Sequence, residues 1–326
     1  MRSIASGGSS TATRFLLAAC ALLLAQCAVT RPGPGSFAFG VIGDTPYSER
    51  EESHFVAMID RMNAEPLAFV VHVGDFKGGG PCSDALFMRR RMQFDASTHP
   101  FVFVPGDNEW IDCRDPANGA AAPLERLASL RAIFFSDGFS RGAHPMPMER
   151  QCAAADPTAC ACSSLPENRL WHHGDVAFAT LNVQGSNNNR GFDPAGDRDA
   201  DCRDAANLAW LAHAEERAAG SRALVVMAQA NLWWADARTL KAYRDALAAL
   251  AQRYRKPVLF VHGDSHTYRV DTPFIDRRGG PLSNPTRLET YGSPAVGWVR
   301  VTVDTSRPDI FTFEPRLAAV VPRRIW

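Results

Sequence analysis

The sequence predicts an α/β fold built around a parallel sheet, and three observations carry this prediction. Apolar runs alternate with segments of helical spacing along the first half of the chain. Three of these runs end in Gly-Asp, with aspartates at 44, 75 and 107, so the spacings of 31 and 32 residues match about one βαβ unit. Strands that are apolar on both faces are typical of parallel sheets covered by helices on both sides.

The elements of the first half follow from this alternation. The apolar runs are FAFGVIGD (37–44), LAFVVHVGD (67–75) and PFVFVPGD (100–107). Between them, 48–65 has apolar residues at helical spacing, and 83–97 is predicted to be a second helix. Because ligands bind at the carboxyl ends of parallel strands, the three aspartates are predicted to lie at the functional edge of the sheet.

Residues 37–326 are predicted to form one domain, in which residues 138–168 are a Cys-rich, irregular insertion. Helices are predicted at about 123–135, 203–218 and 236–253, and strands at 176–183 and 222–231. The run KPVLFVHGDSH (256–266) again ends in Gly-Asp, and the tail alternates like antiparallel strands at 297–303 and 309–315.

The N-terminal segment predicts export. An uncharged stretch rich in Leu and Ala follows Arg14, so residues 1–27 are predicted to be a signal peptide and 28–36 a linker. LAAC at Cys20 and LAQC at Cys27 leave a lipid-anchored form open beside a periplasmic or secreted one. The formal net charge is zero, which gives no electrostatic case for nucleic acid or an anionic membrane surface as a partner.

Six cysteines follow the N-terminal segment, and an even number in an exported chain indicates disulfides, with 15 pairings open. Cys160 and Cys162 do not have the two-residue gap of a zinc knuckle. Cys82 and Cys113 each follow a strand-ending aspartate by a few residues. A bridge between these two would pin together the loops that carry Asp75 and Asp107.

The strand-ending aspartates predict a cation site. One such aspartate is commonly the N-cap of the next helix. Three on adjacent strands would crowd like charges together, and a buried carboxylate is costly unless it is hydrogen-bonded or neutralised. In GDSH, Asp264 and His266 leave a fourth strand two residues apart and can face the same centre.

These motifs, in this order, resemble the calcineurin-like metallophosphoesterase superfamily over about 37–270: GD (43–44), GD (74–75), GDNE (106–109), a strand with a polar exit (224–231) and GDSH (263–266). The resemblance implies a four-layer α-β-β-α sandwich of two β-sheets flanked by helices. It also implies a hydrolase that acts on a small-molecule phosphate ester, mono- or diester, with a dinuclear divalent metal site.

Carried over residue by residue, the resemblance gives the metal ligands as Asp44, Asp75, Asp107, Gln229, Asp264 and His266. Asn231 stays open as the alternative to Gln229. The catalytic set is Asn108, Glu109 and His266, where Asn108 stands at the family's catalytic histidine and Glu109 at the acid that orients it. Asn108 and Lys77 are the predicted substrate contacts.

The family's histidines are mostly replaced in this chain. Pro46 and Asp264 each stand where the family has a histidine ligand. A pocket rich in carboxylate oxygen suits Mn, Mg, Ca or Fe better than Zn. Since Asn108 cannot protonate a leaving group, Glu109 and His262 are the alternatives for that role.

Two roles remain open for Tyr47, and three for the whole chain. Tyr47 is either a metal ligand or a packing residue that supports the ligands. The scaffold is either an enzyme or a binding protein that keeps the phosphoesterase fold with impaired catalysis. A site that holds metal for a purely structural purpose is the third reading.

Overall fold

Two β-sheets with helices against them form the architecture of the computed structural model, which describes residues 35–151, 165–234 and 239–322. The helices are α1 Glu49–Asn63, α2 Asp84–Asp95, α3 Pro123–Phe134, α4 Pro194–Arg217 and α5 Lys241–Tyr254. The strands are β1 Ser36–Ile42, β2 Val70–His72, β3 Phe101–Phe103, β4 Glu149–Gln151, β5 Leu165–His173, β6 Val176–Thr180, β7 Ala223–Met227, β8 Val258–His262, β9 Arg269–Asp271, β10 Pro285–Glu289, β11 Ala295–Asp304 and β12 Phe311–Val320.

The first sheet contains the three strands that end in Gly-Asp, as predicted. Its order is β12-β11-β1-β2-β3. The pairs β1–β2 and β2–β3 are parallel, with Val70 opposite both Gly40 and Phe101. The tail strands β11 and β12 pair antiparallel with each other, and β11 pairs antiparallel with β1. This sheet therefore brings Asp44, Asp75 and Asp107 to one edge.

The second sheet supplies the GDSH motif to the same region. Its order is β4-β5-β6-β7-β8-β10-β9. The four central strands β6, β7, β8 and β10 are parallel neighbours, and the outer strands pair antiparallel. The loops that follow β7 and β8 carry the segments 228–234 and 263–268.

Three apolar clusters separate the four layers. The first joins α1, α2 and α3 to the outer face of the first sheet through residues such as Phe55, Phe94 and Leu130. The second lies between the two sheets and includes Phe39, Val71, Phe178, Val225 and Leu259. The third packs α4 and α5 on the second sheet, with Trp210, Leu247 and Val226 among its members. Burial on both faces explains the near-continuous apolar strands.

Most element boundaries agree with the predictions, and α4 differs most. The prediction began this helix near residue 203, but it starts at Pro194. Asp193 is the N-cap, and its carboxylate accepts from the amides of Ala195 and Gly196. A capping Asp followed by Pro is a recognised start signal, and the polar first turns concealed it.

The predicted insertion, 138–168, is described only in part. Strand β4 and the start of β5 lie inside it. Cys152, Cys160 and Cys162 lie outside the described residues, while Cys202 on α4 is disulfide-bonded. Within the described ranges, the helices are all too short or too polar to cross a membrane. The predicted signal peptide, 1–27, and most of the linker, 28–36, lie outside the described residues.

Candidate metal centre

Three of the strand-ending aspartates have unusual backbone geometry. Asp44, Asp75 and Asp264 have φ angles of 52°, 59° and 77°, in the left-handed region. The chain therefore turns sharply at the end of each strand and directs these residues into the space between the two sheets' loops. Left-handed backbone is more accessible to Asp than to most residues other than Gly, but it still costs free energy. Such outliers cluster at functional sites.

Glycines make room for the carboxylates. A Cβ on Gly106 would lie 2.0 Å from Asp75 Oδ1, and one on Gly263 would lie 2.0 Å from Asp44 Oδ2. Gly106 and Gly263 are therefore needed to leave room for the carboxylate of another Gly-Asp motif.

The four aspartates lie close together and interact. The amide of Asp264 donates to Asp44 Oδ1 at 2.9 Å. A Cβ on Gly185 would lie 2.8 Å from Asp264 Oδ1 and 3.2 Å from both oxygens of Asp107, so these two carboxylates face the same point. Asp44, Asp75 and Asp107 are buried. The structure thus brings together all four aspartates that the sequence singled out.

Burial and mutual repulsion raise the pKa of each of these carboxyls. Burial raises the pKa of Asp107 to about 7, with the charge of Asp264 adding to the effect, and burial raises that of Asp264 to about 6. Burial first, then the charge of Asp264, raises the pKa of Asp44. Burial and then the charge of Asp107 do the same for Asp75. A cation between them would remove this repulsion.

His266 presents its basic nitrogen to the carboxylates. Its Nδ1 lies 2.7 Å from the carbonyl oxygen of Ser293, which can only accept, so Nδ1 carries the hydrogen. Nε2 is then the basic nitrogen of the neutral ring, and it lies 3.5 Å from Asp44 Oδ1. A histidine that donates one N–H to a backbone carbonyl and directs the other nitrogen into the site is the usual arrangement of a metal ligand.

Gln229 contacts the site through its side chain, and Asn231 contacts it through its backbone amide. Gln229 donates from Nε2 to Asp75 Oδ2 at 3.1 Å and accepts from the amide of Gly185 at 2.8 Å. Asn231 donates its backbone amide to Asp264 Oδ2 at 2.8 Å. Gln229 is therefore the one whose side chain contacts a predicted ligand, and its role as a ligand itself stays a prediction.

Glu109 acts as a positioning residue in this structure. Its carboxylate accepts from the backbone amides of Gly106 and Asp75, at 2.8 and 3.2 Å, and from that of Phe76. It thereby ties the loop after β2 to the loop after β3. Burial raises the pKa of Glu109 to about 7, although these amides oppose the shift.

Asn108 and Lys77, the two predicted substrate contacts, differ in accessibility. Asn108 is partly exposed, and its Nδ2 donates to the Tyr47 hydroxyl and to the carbonyl of Lys77, both at 2.9 Å. Lys77 is 3% exposed, and its ammonium donates to the carbonyls of Gly78 and Asn108. In this arrangement Lys77 supports the loop of Asn108, and its contact with a substrate stays a prediction.

His262 is poorly placed to donate a proton to a leaving group. It is fully buried on β8, with Nδ1 2.8 Å from the carbonyl of Gly263. Burial lowers the pKa of His262 to about 3, so the ring is neutral at ordinary pH. The alternative that assigned it the proton-donor role is therefore not supported by its position.

Tyr47 lies at the centre of a hydrogen-bond cluster. Its hydroxyl is 3.2 Å from Asp75 Oδ2, 3.2 Å from His266 Nε2 and 2.9 Å from Asn108 Nδ2. The peptide bond between Thr45 and Pro46 is cis, and Tyr47 is the next residue. The contacts support the second of the two predicted roles, a residue that holds the ligands.

Replacing Tyr47 with phenylalanine is expected to lower kcat for an activated phosphate ester by roughly 10- to 100-fold. The hydroxyl makes contacts to charged or polarised groups, and such hydrogen bonds are worth about 1.5–3 kcal/mol each. Steady-state kinetics together with metal analysis would measure the effect. Unchanged kcat at unchanged metal content would contradict the positioning role, and Tyr254→Phe, on the far end of α5, is the matched control.

Two acidic side chains and one hydroxyl that border the site were not identified from the sequence. The Ser186 hydroxyl lies 2.7 Å from Asp107 Oδ2 and 2.6 Å from Asp112 Oδ1 and can donate its one hydrogen to either. Glu289, at the end of β10, is buried, and its charge raises the pKa of Asp264 and of Asp44. A carboxylate at a strand end was the available signal for Glu289, but no glycine precedes it.

The predicted bridge between Cys82 and Cys113 is present, with a Cα–Cα distance of 5.7 Å and a sequence separation of 31. It joins the loop that follows Asp75 to the short 3-10 turn that follows Glu109. The sulfur of Cys113 lies 3.1 Å from the carbonyl oxygen of Glu109. The bridge therefore restrains the two loops that carry the central part of the site.

Replacing both cysteines with serine is expected to destabilise the protein by about 3–4 kcal/mol, since a closed loop of this length removes roughly that much unfolded-state entropy. Thermal unfolding by circular dichroism would measure the change. Because the loops carry Asp75 and Asp107, turnover should fall as well. An unchanged melting temperature with intact activity would show that the bridge is dispensable.

The carboxylate side chains of the site have the chemistry that a divalent cation needs. The carboxyl groups with raised pKa values lie close together. Among their oxygens, Asp107 Oδ1 is a buried acceptor with no hydrogen-bond partner. In the part of the chain that is described, no group of three or more His, Cys, Asp or Glu side chains is already arranged to hold a metal ion. The reason is visible in the contacts: Asp44, Asp75 and Asp107 accept from nearby amide and hydroxyl donors.

Comparison with known proteins identifies the class. The family model described as calcineurin-like phosphoesterase matches residues 37–268. The chain belongs to the calcineurin-like phosphoesterases, and it is a hydrolase that acts on phosphate ester bonds. No curated protein matches it by sequence.

Solved structures of low sequence identity resemble the chain. A dimetal phosphatase from Danio rerio is 11% identical, with 87% of this chain and 96% of that chain covered and a TM-score of 0.49. A phosphatase from Mycoplasma pneumoniae is 10% identical, with 86% and 93% covered and a TM-score of 0.44. A Vps29 mutant from Entamoeba histolytica is 10% identical, with 86% and 99% covered and a TM-score of 0.29.

Proposed function

We propose that the chain is an exported phosphoesterase that uses two divalent cations, Mn, Mg, Ca or Fe rather than Zn, to hydrolyse a phosphate mono- or diester. The observation that carries the proposal is the clustering of four strand-ending aspartates, of which Asp107 and Asp264 face the same point, with Asp107 Oδ1 buried and without a hydrogen-bond partner. These carboxylates, three of them buried, repel one another, and cations offset that repulsion. Oxygen donors dominate the set, which favours hard cations over zinc.

Each side chain would have a defined part in this reaction. Asp44, Asp75, Asp107, Asp264 and His266 would hold the cations, which would stabilise charge on the phosphoryl oxygens and lower the pKa of water. Gln229 would hold Asp75 in place through its Nε2.

The remaining residues would position the substrate rather than exchange protons with it. Asn108 is partly exposed beside Asp75, and its amide could donate to a phosphoryl oxygen in place of the Tyr47 hydroxyl. Glu109 would keep the two loops in register through the three backbone amides it binds. Because the neutral amide of Asn108 cannot protonate a leaving group, esters with acidic alcohols should be hydrolysed fastest.

Metal content and turnover of the purified mature protein test the proposal. Elemental analysis should find divalent metal, and p-nitrophenyl esters should be hydrolysed after addition of Mn²⁺, Mg²⁺, Ca²⁺ or Fe²⁺. His266→Ala should lose turnover while the protein stays folded. Absence of both bound metal and turnover with every ion would favour the binding-protein alternative.

Export is supported by the N-terminal pattern and by the disulfide between Cys82 and Cys113, since such bridges persist in oxidising compartments. Fractionation of cells that make the full-length chain should place it outside the cytoplasm. The mass of the mature N-terminus would separate simple cleavage from lipidation at Cys20 or Cys27. Recovery of the intact chain from the cytoplasm would contradict the export proposal.

A further inference from the structure

Two clefts adjoin the aspartate cluster from different sides. The Tyr47 cleft, of about 610 Å³, is lined by Tyr47, Arg50, Gly78, Asn108 and Ser293 among others. The Trp234 cleft, of about 540 Å³, is lined by Asp107, Ser186, Asn187, Asn231, Trp234 and Asp264 among others. Each has the volume of a typical small-molecule site.

The two clefts border the aspartate cluster at different carboxylates. Asp107 and Asp264 line the Trp234 cleft directly. In the Tyr47 cleft, Tyr47 and Asn108 are both hydrogen-bonded to Asp75, at 3.2 and 3.1 Å. A phosphoryl group held at the aspartate cluster would therefore have room for an organic substituent on either side. A monoester has one substituent and would leave one cleft without a ligand group.

The charges that line the two clefts differ. The residues that line the Trp234 cleft include two aspartates and no Lys or Arg, so an additional anionic group would be repelled there. The Tyr47 cleft contains the exposed Arg50, together with Glu51, whose carboxylate accepts from the amide of Tyr47 and the hydroxyl of Ser293. The Trp234 cleft thus suits an uncharged group, and the Tyr47 cleft tolerates a polar or anionic one.

Two consecutive tryptophans have different surroundings. Trp233 packs edge-on against Phe274, with ring centroids 4.9 Å apart, and lies under Arg287. Trp234 is 52% exposed at the wall of the cleft that contains Asp107. An exposed indole offers a flat apolar face, and stacking of an aromatic ligand on such a face is a common source of affinity.

Building on the proposed function, we propose that the substrate is a phosphodiester with an uncharged aromatic substituent, which lies against Trp234, while the second substituent occupies the Tyr47 cleft. In the reaction, the oxygen of water forms a new bond to phosphorus and one ester P–O bond breaks. A proton from the water ends on the departing alcohol oxygen. The products are a phosphomonoester and an alcohol.

The test compares two esters that release the same p-nitrophenolate: phenyl p-nitrophenyl phosphate, a diester, and p-nitrophenyl phosphate, a monoester. The wild-type enzyme with added metal should hydrolyse the diester with a kcat/KM at least about tenfold higher. Trp234→Ala should raise KM for the diester by about tenfold with a smaller change in kcat, because stacking binds the substituent. Trp234→Phe should stay within about threefold of wild type.

Control variants separate a failure of this inference from a failure of the proposed function. Phe192→Ala removes another half-exposed aromatic, which lies over Arg114, and should leave the diester KM unchanged. Trp234→Leu repeats the test if Trp234→Ala does not fold, as judged by thermal melting. A preference for the monoester, or an unchanged diester KM in both Trp234 variants, would overturn this inference while Asp75-dependent turnover upheld the proposed function. No turnover of either ester with any ion would overturn both.

Discussion

Replacing Asp75 with asparagine is expected to lower kcat/KM for an activated phosphate ester by at least about a thousandfold. Asp75 is the most connected of the four aspartates, since it accepts from Tyr47, Asn108 and Gln229. The charges of Asp107, Glu109 and Asp44 all raise its pKa, after the larger effect of burial. A carboxylate that faces this many charges is at the centre of the site. A thousandfold loss corresponds to about 4 kcal/mol of transition-state stabilisation.

The asparagine variant keeps the shape of the side chain and removes its charge, so the effect should come from cation binding. Metal content measured alongside kinetics should fall with activity. Asp60→Asn, on the exposed face of α1, is the matched control and should change neither. Turnover above about 10% of wild type with full metal content would refute the central role of Asp75. A loss of folded protein would be seen in the melting curve and would leave His266→Ala as the test.

The strands that end in Gly-Asp could be predicted because their pattern is local. Each apolar run is buried apart from one partly exposed residue near its start, and a short crossover helix places the next strand beside the last one with a fixed hand. Sequence therefore sufficed for β1, β2 and β3 and for the edge at which Asp44 and Asp75 meet. The Cys82–Cys113 bridge could be anticipated for the same reason, since both cysteines follow known strand ends.

The neighbours of those aspartates could not be predicted, because they come from distant parts of the chain. Ser186 reaches Asp107 across a separation of 79 residues, through a turn in which residues 186–189 all have positive φ. The polar composition of this loop is typical of a solvated turn, yet Asn188 and Asn189 are buried, and Arg203 donates to the carbonyl of Asn188. The partner of His266, the carbonyl of Ser293, is a backbone atom that no side-chain pattern marks.

The metal-free protein is expected to be less stable at pH 8 than at pH 5.5. The pKa of Asp107 and of Glu109 is about 7 in the folded protein, and that of Asp264 is about 6, whereas ordinary carboxyls titrate near 4. Between pH 4 and 7 the folded state therefore holds more protons than the unfolded state. By linkage, the free energy of unfolding decreases as the pH rises through this range and levels off above about 7.

The titration of Asp107 alone gives a lower bound for this loss of stability. One unit of pKa corresponds to about 1.4 kcal/mol, so Asp107 alone should account for roughly 2 kcal/mol between pH 5.5 and 8. For a domain of this size the melting temperature should decrease by about 5 °C. Thermal melts of the EDTA-treated protein across this pH range would measure it. Addition of Mn²⁺ at pH 8 should reverse the loss, because a bound cation takes the place of the protons.

Asp107→Asn provides the matched control, because an amide keeps the size of the side chain and does not titrate. In the metal-free state this variant should be more stable than wild type at pH 8 and should show a flatter pH profile. With Mn²⁺ present it should gain less stability than wild type, since a carboxylate ligand is missing. A metal-free wild type whose stability is independent of pH between 5.5 and 8 would mean that the aspartates are not close enough to repel one another. The inference of a cation site would then lose its physical basis.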